Sequence, residues 1–160
     1  MHKKKVLIAA AGTGGHLFPA QALAHDLQKL GIDVTFAGHG LSKNRYFRRE
    51  EFSFEDVSSA TPFKHNPLKT FFEISKGIRK SRKLIRKQNP DLVVGFGSFH
   101  SFPVLAATLL QKIPIMIFEA NSIPGKVNRL FSRWAKISAV HFPQAILGLH
   151  GATQEVVMPM

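Results

Sequence analysis

The chain has 160 residues, 44% of them hydrophobic, no cysteine, and 22 lysines and arginines against 10 aspartates and glutamates. That length suits one domain with a sizeable core; the lack of cysteine excludes disulfides and thiolate metal sites and fits a reducing compartment. A formal net charge of +12 calls for an anionic partner, whether nucleic acid, anionic lipid or a phosphorylated substrate.

Lys3-Lys4-Lys5 ahead of residues 6–11 imitates a signal peptide, but the apolar run is too short, and it reads as a first strand over 6–10. Ala20, Leu23, Leu27 and Leu30 then recur at helical spacing and stop at Gly31. A second strand is expected over 33–37. A long helix over 67–87 takes Phe71, Ile74, Ile78 and Ile85 as its core face. Strands over 92–95, 113–118 and 137–140 alternate with helices near 101–111 and 125–135, and a last strand is expected at 155–158. The apolar region 102–118 is broken by Gln111, Lys112 and Pro114, so no segment spans a membrane. Strand–helix alternation implies a Rossmann-like, doubly wound parallel sheet of the α/β class, in which ligands lie beyond the carboxyl ends of the strands.

Those strand ends carry the polar chemistry. The first leads into Gly12-Thr13-Gly14-Gly15-His16, where glycines let a ligand approach the backbone and a following helix N-terminus suits phosphate. It lacks the third glycine of the dinucleotide fingerprint and the Gly-Lys-Ser/Thr of a P-loop; a plain strand–helix turn is the bland alternative. The 92–95 strand ends in Gly95-Phe96-Gly97-Ser98-Phe99-His100-Ser101, a second glycine turn opening a helix. The 113–118 strand ends in Glu119-Ala120-Asn121-Ser122. Three strand ends thus converge on one rim.

These residues resemble the MurG family, the UDP-N-acetylglucosamine:lipid-linked muramyl-pentapeptide N-acetylglucosaminyltransferases of bacterial cell-wall synthesis. Gly12–His16 with Phe18-Pro19-Ala20 is similar to that family's first glycine loop, and 95–101 to its second. Glu119-Ala120-Asn121, with Gly125 and Asn128, falls where the family has a His-Glu-Gln-Asn segment. Phe99 stands where tyrosine is frequent, and Phe118 and Ala120 replace the usual histidine and glutamine. The resemblance implies one half of a two-domain GT-B glycosyltransferase. Residues 1–160 would form the N-terminal domain that receives the lipid acceptor, and 156–160 would approach an interdomain linker. The UDP-sugar would belong to a C-terminal domain outside this chain, which alone would not turn over.

The implied reaction is inverting transfer of N-acetylglucosamine from UDP-N-acetylglucosamine to the muramyl 4-hydroxyl of undecaprenyl-pyrophosphoryl-muramyl-pentapeptide. It requires no cofactor but needs a base within reach of that hydroxyl, for which His16 is the candidate; phosphate binding or helix capping is its alternative. Glu119 is expected to orient His16 or contact the acceptor, or else to be structural. Gly12, Thr13, Gly14, Gly15, Gly97, Ser98, Phe99, His100, Ser101, Asn121 and Asn128 are the candidates for acceptor and phosphate binding. Asn121 can equally be a helix cap, and Asn128 an exposed mid-helix residue. His2, His25, His39, His65, His141 and His150 form no metal-ligand spacing.

The helix over 67–87 carries Lys69, Lys76, Arg79, Lys80, Arg82, Lys83, Arg86 and Lys87 against Glu73 alone. With Phe71 inward, Leu68 and Phe72 lie roughly 60–100° away at about 100° per residue. Exposed apolar residues flanked by Lys69, Lys76, Arg79 and Lys80 suit an interfacial helix, each cation near an anionic leaflet contributing on the order of 1 kcal/mol. The expectation is peripheral docking on the cytoplasmic face of the bacterial inner membrane; a solvated basic face is the alternative. Two other functions compete: the free-standing acceptor subunit of a split glycosyltransferase, and nucleic-acid binding through the aromatic loop 96–102. A nicotinamide enzyme is disfavoured, because Ala37-Gly38-His39-Gly40 offers no acid for a ribose.

Overall fold

The computed structural model describes residues 3–60 and 66–159. His2, His65 and Met160 lie outside them. Seven strands, β1 (Lys5–Ala9), β2 (Asp33–Gly38), β3 (Ser53–Asp56), β4 (Leu92–Gly95), β5 (Ile115–Glu119), β6 (Ile137–Val140) and β7 (Thr153–Glu155), form one parallel sheet in the order β3-β2-β1-β4-β5-β6-β7. The helices are α1 (Gly14–Lys29), α2 (Pro67–Gln88), α3 (Phe102–Leu110) and α4 (Lys126–Phe131). The fold is thus the expected doubly wound α/β sheet. Chain order reverses at β1, which pairs with β2 on one side and β4 on the other, opening a switch-point crevice at their carboxyl ends.

Strands β1, β2, β4 and β5 feed both faces. Ile8, Phe36, Val94 and Phe118 pack with Leu17, Ala20 and Ala24 of α1. Leu7, Val93, Ile115 and Ile117 pack with Leu84 and Ile85 of α2, Val104 and Leu105 of α3, and Val127 and Phe131 of α4. Burial on both faces is why the inner strands read as continuous apolar runs.

Several boundaries differ from expectation, for physical reasons. β3, absent from the sequence reading, is a short polar edge strand whose Glu55 and Asp56 suppress its apolar signal while protecting the sheet edge. The last strand lies at Thr153–Glu155 rather than 155–158, and Val156 and Met158 pack on the α1 side of the core. α4 stops at Phe131, short of 135. Leu30, expected on the apolar stripe of α1, is its exposed C-cap.

The core face of α2 is a further correction. Gly77, Ser81, Leu84 and Ile85 are buried, whereas Phe71, expected inward, is 73% exposed. At about 1.5 Å per residue a 22-residue helix far outreaches four-residue strands. Gly77 and Lys80 lie level with Ser58 and Asp56 at the carboxyl end of β3, so the turns of α2 before them overhang that edge of the sheet. Asn66 caps that end, its side chain accepting from Leu68 N at 2.9 Å, and Pro67 follows at the first helical position.

Candidate functional site

The two glycine loops meet over the β1–β4 crevice. Gly12 (φ +95°) and Gly97 (φ +84°) adopt left-handed backbone that other residues resist. At both positions a side chain would also crowd its neighbours. A Cβ on Gly12 would stand 3.2 Å from Ser98 Oγ and 3.3 Å from His100 Nδ1, and one on Gly97 3.1 Å from Asn128 Nδ2. Asn44 fixes the first loop by donating to Gly12 O at 2.7 Å. Thr13 is the N-cap of α1, yet its hydroxyl caps nothing, so the exposed Gly15 and half-buried His16 begin a helix whose leading N–H groups have no side-chain cap. His16 sits on this first turn with its ring at the rim.

Ser98 also has a left-handed backbone (φ +72°). Its hydroxyl lies 2.9 Å from His100 Nδ1 and accepts from the His100 N–H at 3.3 Å. Burial and the neighbouring charges of His39 and His16 push the His100 imidazole below the ordinary histidine pKa. Ser101 is fully buried, with its hydroxyl donating to the carbonyls of Gly97 and Ser98, so it shapes the second loop without facing a ligand. Phe99 is half-buried against the core, and its carbonyl accepts from Ser59 Oγ at 2.7 Å.

The third strand end is built differently from the sequence reading. Glu119 is 2% exposed. One carboxylate oxygen accepts from Asn121 N (3.0 Å) and Asn121 Nδ2 (2.8 Å), the other from Gly125 N (3.0 Å) and Asn128 Nδ2 (2.9 Å). Among the described residues no hydrogen bond joins it to His16. The geometry makes Glu119 a clamp tying β5 to the start of α4. Asn128, expected on an exposed face, is 1% exposed and also donates to Phe118 O at 3.0 Å. It lies directly beneath Gly97 and supports the second loop from below. Asn121 is exposed, with its amide nitrogen engaged by Glu119.

A residue the sequence reading passed over completes the rim. His39 directly follows β2; its N–H donates to His100 O at 3.1 Å and its ring stacks on that of His100, 5.6 Å between centroids and 6° from parallel. The available signal was a histidine between two glycines at a strand end adjoining the first loop. A cleft of about 510 Å³ also opens beside the first loop, bounded by Gly14, Gly15, Phe18, Arg48 and Met158. Among the described residues no group of three His, Asp or Glu side chains is arranged to hold a metal ion. The loop aromatics offer no stacking platform for bases: Phe96 packs on Phe118 and Phe102 on Phe131.

A doubly wound parallel sheet with two glycine loops at its switch point defines a Rossmann-like ligand-binding domain. The chain belongs to glycosyltransferase family 28, whose N-terminal domain matches residues 6–140. It is 45% identical to the UDP-N-acetylglucosamine–N-acetylmuramyl-(pentapeptide) pyrophosphoryl-undecaprenol N-acetylglucosamine transferase of Protochlamydia amoebophila, covering 98% of this chain and 43% of that protein. The same-named protein of Chlamydia pneumoniae is 40% identical, with 98% and 44% covered. The crystal structure of Acinetobacter baumannii MurG aligns with a TM-score of 0.78 at 31% identity, over 96% of this chain and 44% of that one. The resemblance first read from the loops therefore extends along the chain, which spans less than half the length of these relatives.

Proposed function

We propose that this chain is the acceptor half of an inverting N-acetylglucosaminyltransferase. Its acceptor is a diphosphate-linked muramyl peptide on a lipid, and the donor is UDP-N-acetylglucosamine held by a further domain. The observation that carries this reading is the meeting of Gly12 with Ser98 and His100 at the switch point, beside an uncapped helix start bearing His16. Gly14, Gly15 and Thr13 on one side and Gly97 and Ser98 on the other offer the diphosphate backbone amides and hydroxyls. His16 takes the proton of the attacking sugar hydroxyl as its oxygen bonds to the anomeric carbon and UDP departs. Asn121 and the half-buried Phe99 lie on the same rim, within the region a sugar or peptide would occupy.

Recruitment to the lipid rests on α2. Leu68, Phe71 and Phe72 are 79%, 73% and 65% exposed, and Lys69, Lys76 and Arg79 are exposed beside them. Lys80 is partly diverted, since its ammonium lies 3.5 Å from Glu55 and bonds Asp56 O. Phe71 therefore joins the interfacial set instead of the core, and the apolar knuckle overhangs the edge that carries the glycine loops. No helix among the described residues is long and apolar enough to cross a membrane, so the expected association is peripheral, on the cytoplasmic leaflet that presents the acceptor.

Calorimetric titration with a soluble lipid-diphosphoryl-muramyl-peptide analogue tests the proposal. Binding of the analogue, weakened by His16→Ala and unmatched by UDP-N-acetylglucosamine, is the expected outcome. Tighter binding of the donor would assign the domain to the other substrate.

A further inference from the structure

The proton transfer assigned to His16 does not use the stacking of His39 on His100, yet the geometry of that pair is over-determined. The main chain clasps it, His39 N–H to His100 O. Each ring is then held by one nitrogen. His39 Nδ1 lies 3.0 Å from the carbonyl of Val57, which can only accept, so Nδ1 carries the hydrogen and Nε2 keeps a bare lone pair in the neutral ring. His100 Nδ1 pairs with Ser98 Oγ, whose other contact is the His100 N–H. Among the described residues neither Nε2 atom has a hydrogen-bond partner. Two protonated imidazoles at 5.6 Å would repel, and His16 adds a third positive charge when protonated. Burial, with the neighbouring charges of His39 and His16, accordingly holds the His100 ring below the ordinary histidine pKa.

Among the described residues no free carboxylate faces this pair to supply a counterion. On β3, Asp56 accepts from Leu41 N and Ser42 N through both oxygens. Beyond β5, Glu119 is saturated by its four donors. Lys80 of α2 is engaged by Glu55 and Asp56 O. Lys43, on the 3-10 turn Leu41–Lys43, is exposed, and on α1 the nearby titrating group is His16. Among the described residues the rim thus brings two imidazoles together with no unengaged carboxylate beside them.

We infer that His39 and His100 together form a proton-linked receptor for a diphosphate diester, whose charge draws one proton from solvent onto the pair as it seats against the glycine loops. An anion near an imidazole favours the cation, so affinity rises as pH falls. The site's position rests on the acceptor reading, but its proton linkage is measurable without turnover. Lipid-linked sugars and nucleotide sugars share the diester chemistry.

The probe is P1,P2-diethyl diphosphate, neither phosphate of which changes charge across the pH range used. Titrated into the full chain, it should bind about tenfold more tightly at pH 6 than at pH 8. The binding enthalpy should vary with buffer ionisation enthalpy, reporting proton uptake. His39→Asn and His100→Asn retain a donor or acceptor near the Nδ1 position but cannot titrate; each should flatten the pH slope and reduce the uptake, with thermal melting confirming the fold. Slope that survives both substitutions, slope lost only in His16→Asn, or absence of diester binding overturns the inference. A prenyl diphosphoryl sugar and UDP-N-acetylglucosamine serve as separate arms. Proton uptake with either supports the receptor, and the tighter of the two identifies the source. Acceptor binding without proton uptake refutes the receptor while leaving the acceptor reading in place.

Discussion

Gly77→Ala tests how α2 supports the second glycine loop. A methyl at this position would fall 1.8 Å from the backbone carbonyl oxygen of Ser58 and 3.0 Å from Pro103 Cβ. Restoring ordinary contact requires α2 and the 57–60 segment to part by about 1.6 Å, since such contact begins at 3.4 Å. That displacement loosens Ser81, Leu84 and Ile85 on the core. Overpacking typically costs about 1–3 kcal/mol, the upper end applying where a backbone group must yield. Alanine recovers about 1 kcal/mol of helix propensity over glycine, leaving a net loss near 2 kcal/mol. For a chain of this size that lowers Tm by about 4–8 °C. The same shift drags Ser59, whose hydroxyl holds Phe99 O, so binding of the acceptor analogue should also weaken. Thermal unfolding by circular dichroism, with exposed Arg82→Ala as a control expected within about 0.5 kcal/mol of wild type, reads the first effect. A Gly77→Ala chain as stable as wild type would refute the close crossing of α2 over Ser58.

Other substitutions separate the remaining parts. Glu119→Gln replaces one twice-bonded oxygen with an amide facing N–H donors, and at about 1.5 kcal/mol or more for each charge-assisted bond it should destabilise the chain by roughly 3 kcal/mol in urea unfolding; near-neutral stability would contradict the clamp. Burial raises the Asp56 pKa, but hydrogen bonds from Ser42, Leu41 and Gly40 outweigh it, so the folded-state value is lowered. A depressed carboxylate stabilises the fold above its unfolded pKa of about 4 and loses that contribution as pH falls through the folded value. Asp56→Asn should therefore be less stable than wild type at pH 7 and indistinguishable from it near pH 2 by denaturant melts. Leu68→Glu with Phe72→Glu should leave Tm unchanged and abolish sedimentation with anionic liposomes, and retained sedimentation would remove α2 from membrane docking.

The central sheet was legible because both of its faces are buried, which leaves apolar runs such as 6–10 and 92–95 between helical repeats. The glycine loops were legible because positive φ restricts residue choice at Gly12 and Gly97. β3 was hidden, and β7 placed two residues late, because edge strands carry polar residues. Phe71 follows the same helical period as Ile78 and Ile85, and only the length of the sheet beneath decides which of them is covered. The roles of Glu119 and Asn128 depend on contacts between β5, α4 and the second loop that no local pattern encodes. His39 reaches the site solely through the β2–β1–β4 strand order, which sequence spacing does not specify.

Amide hydrogen exchange of the chain with and without the soluble acceptor analogue tests the central claim most directly. Protection concentrated in residues 12–16 and 97–101, and absent with UDP-N-acetylglucosamine alone, is the predicted result. Protection elsewhere, or at these loops with the donor alone, would contradict an acceptor site at the switch point.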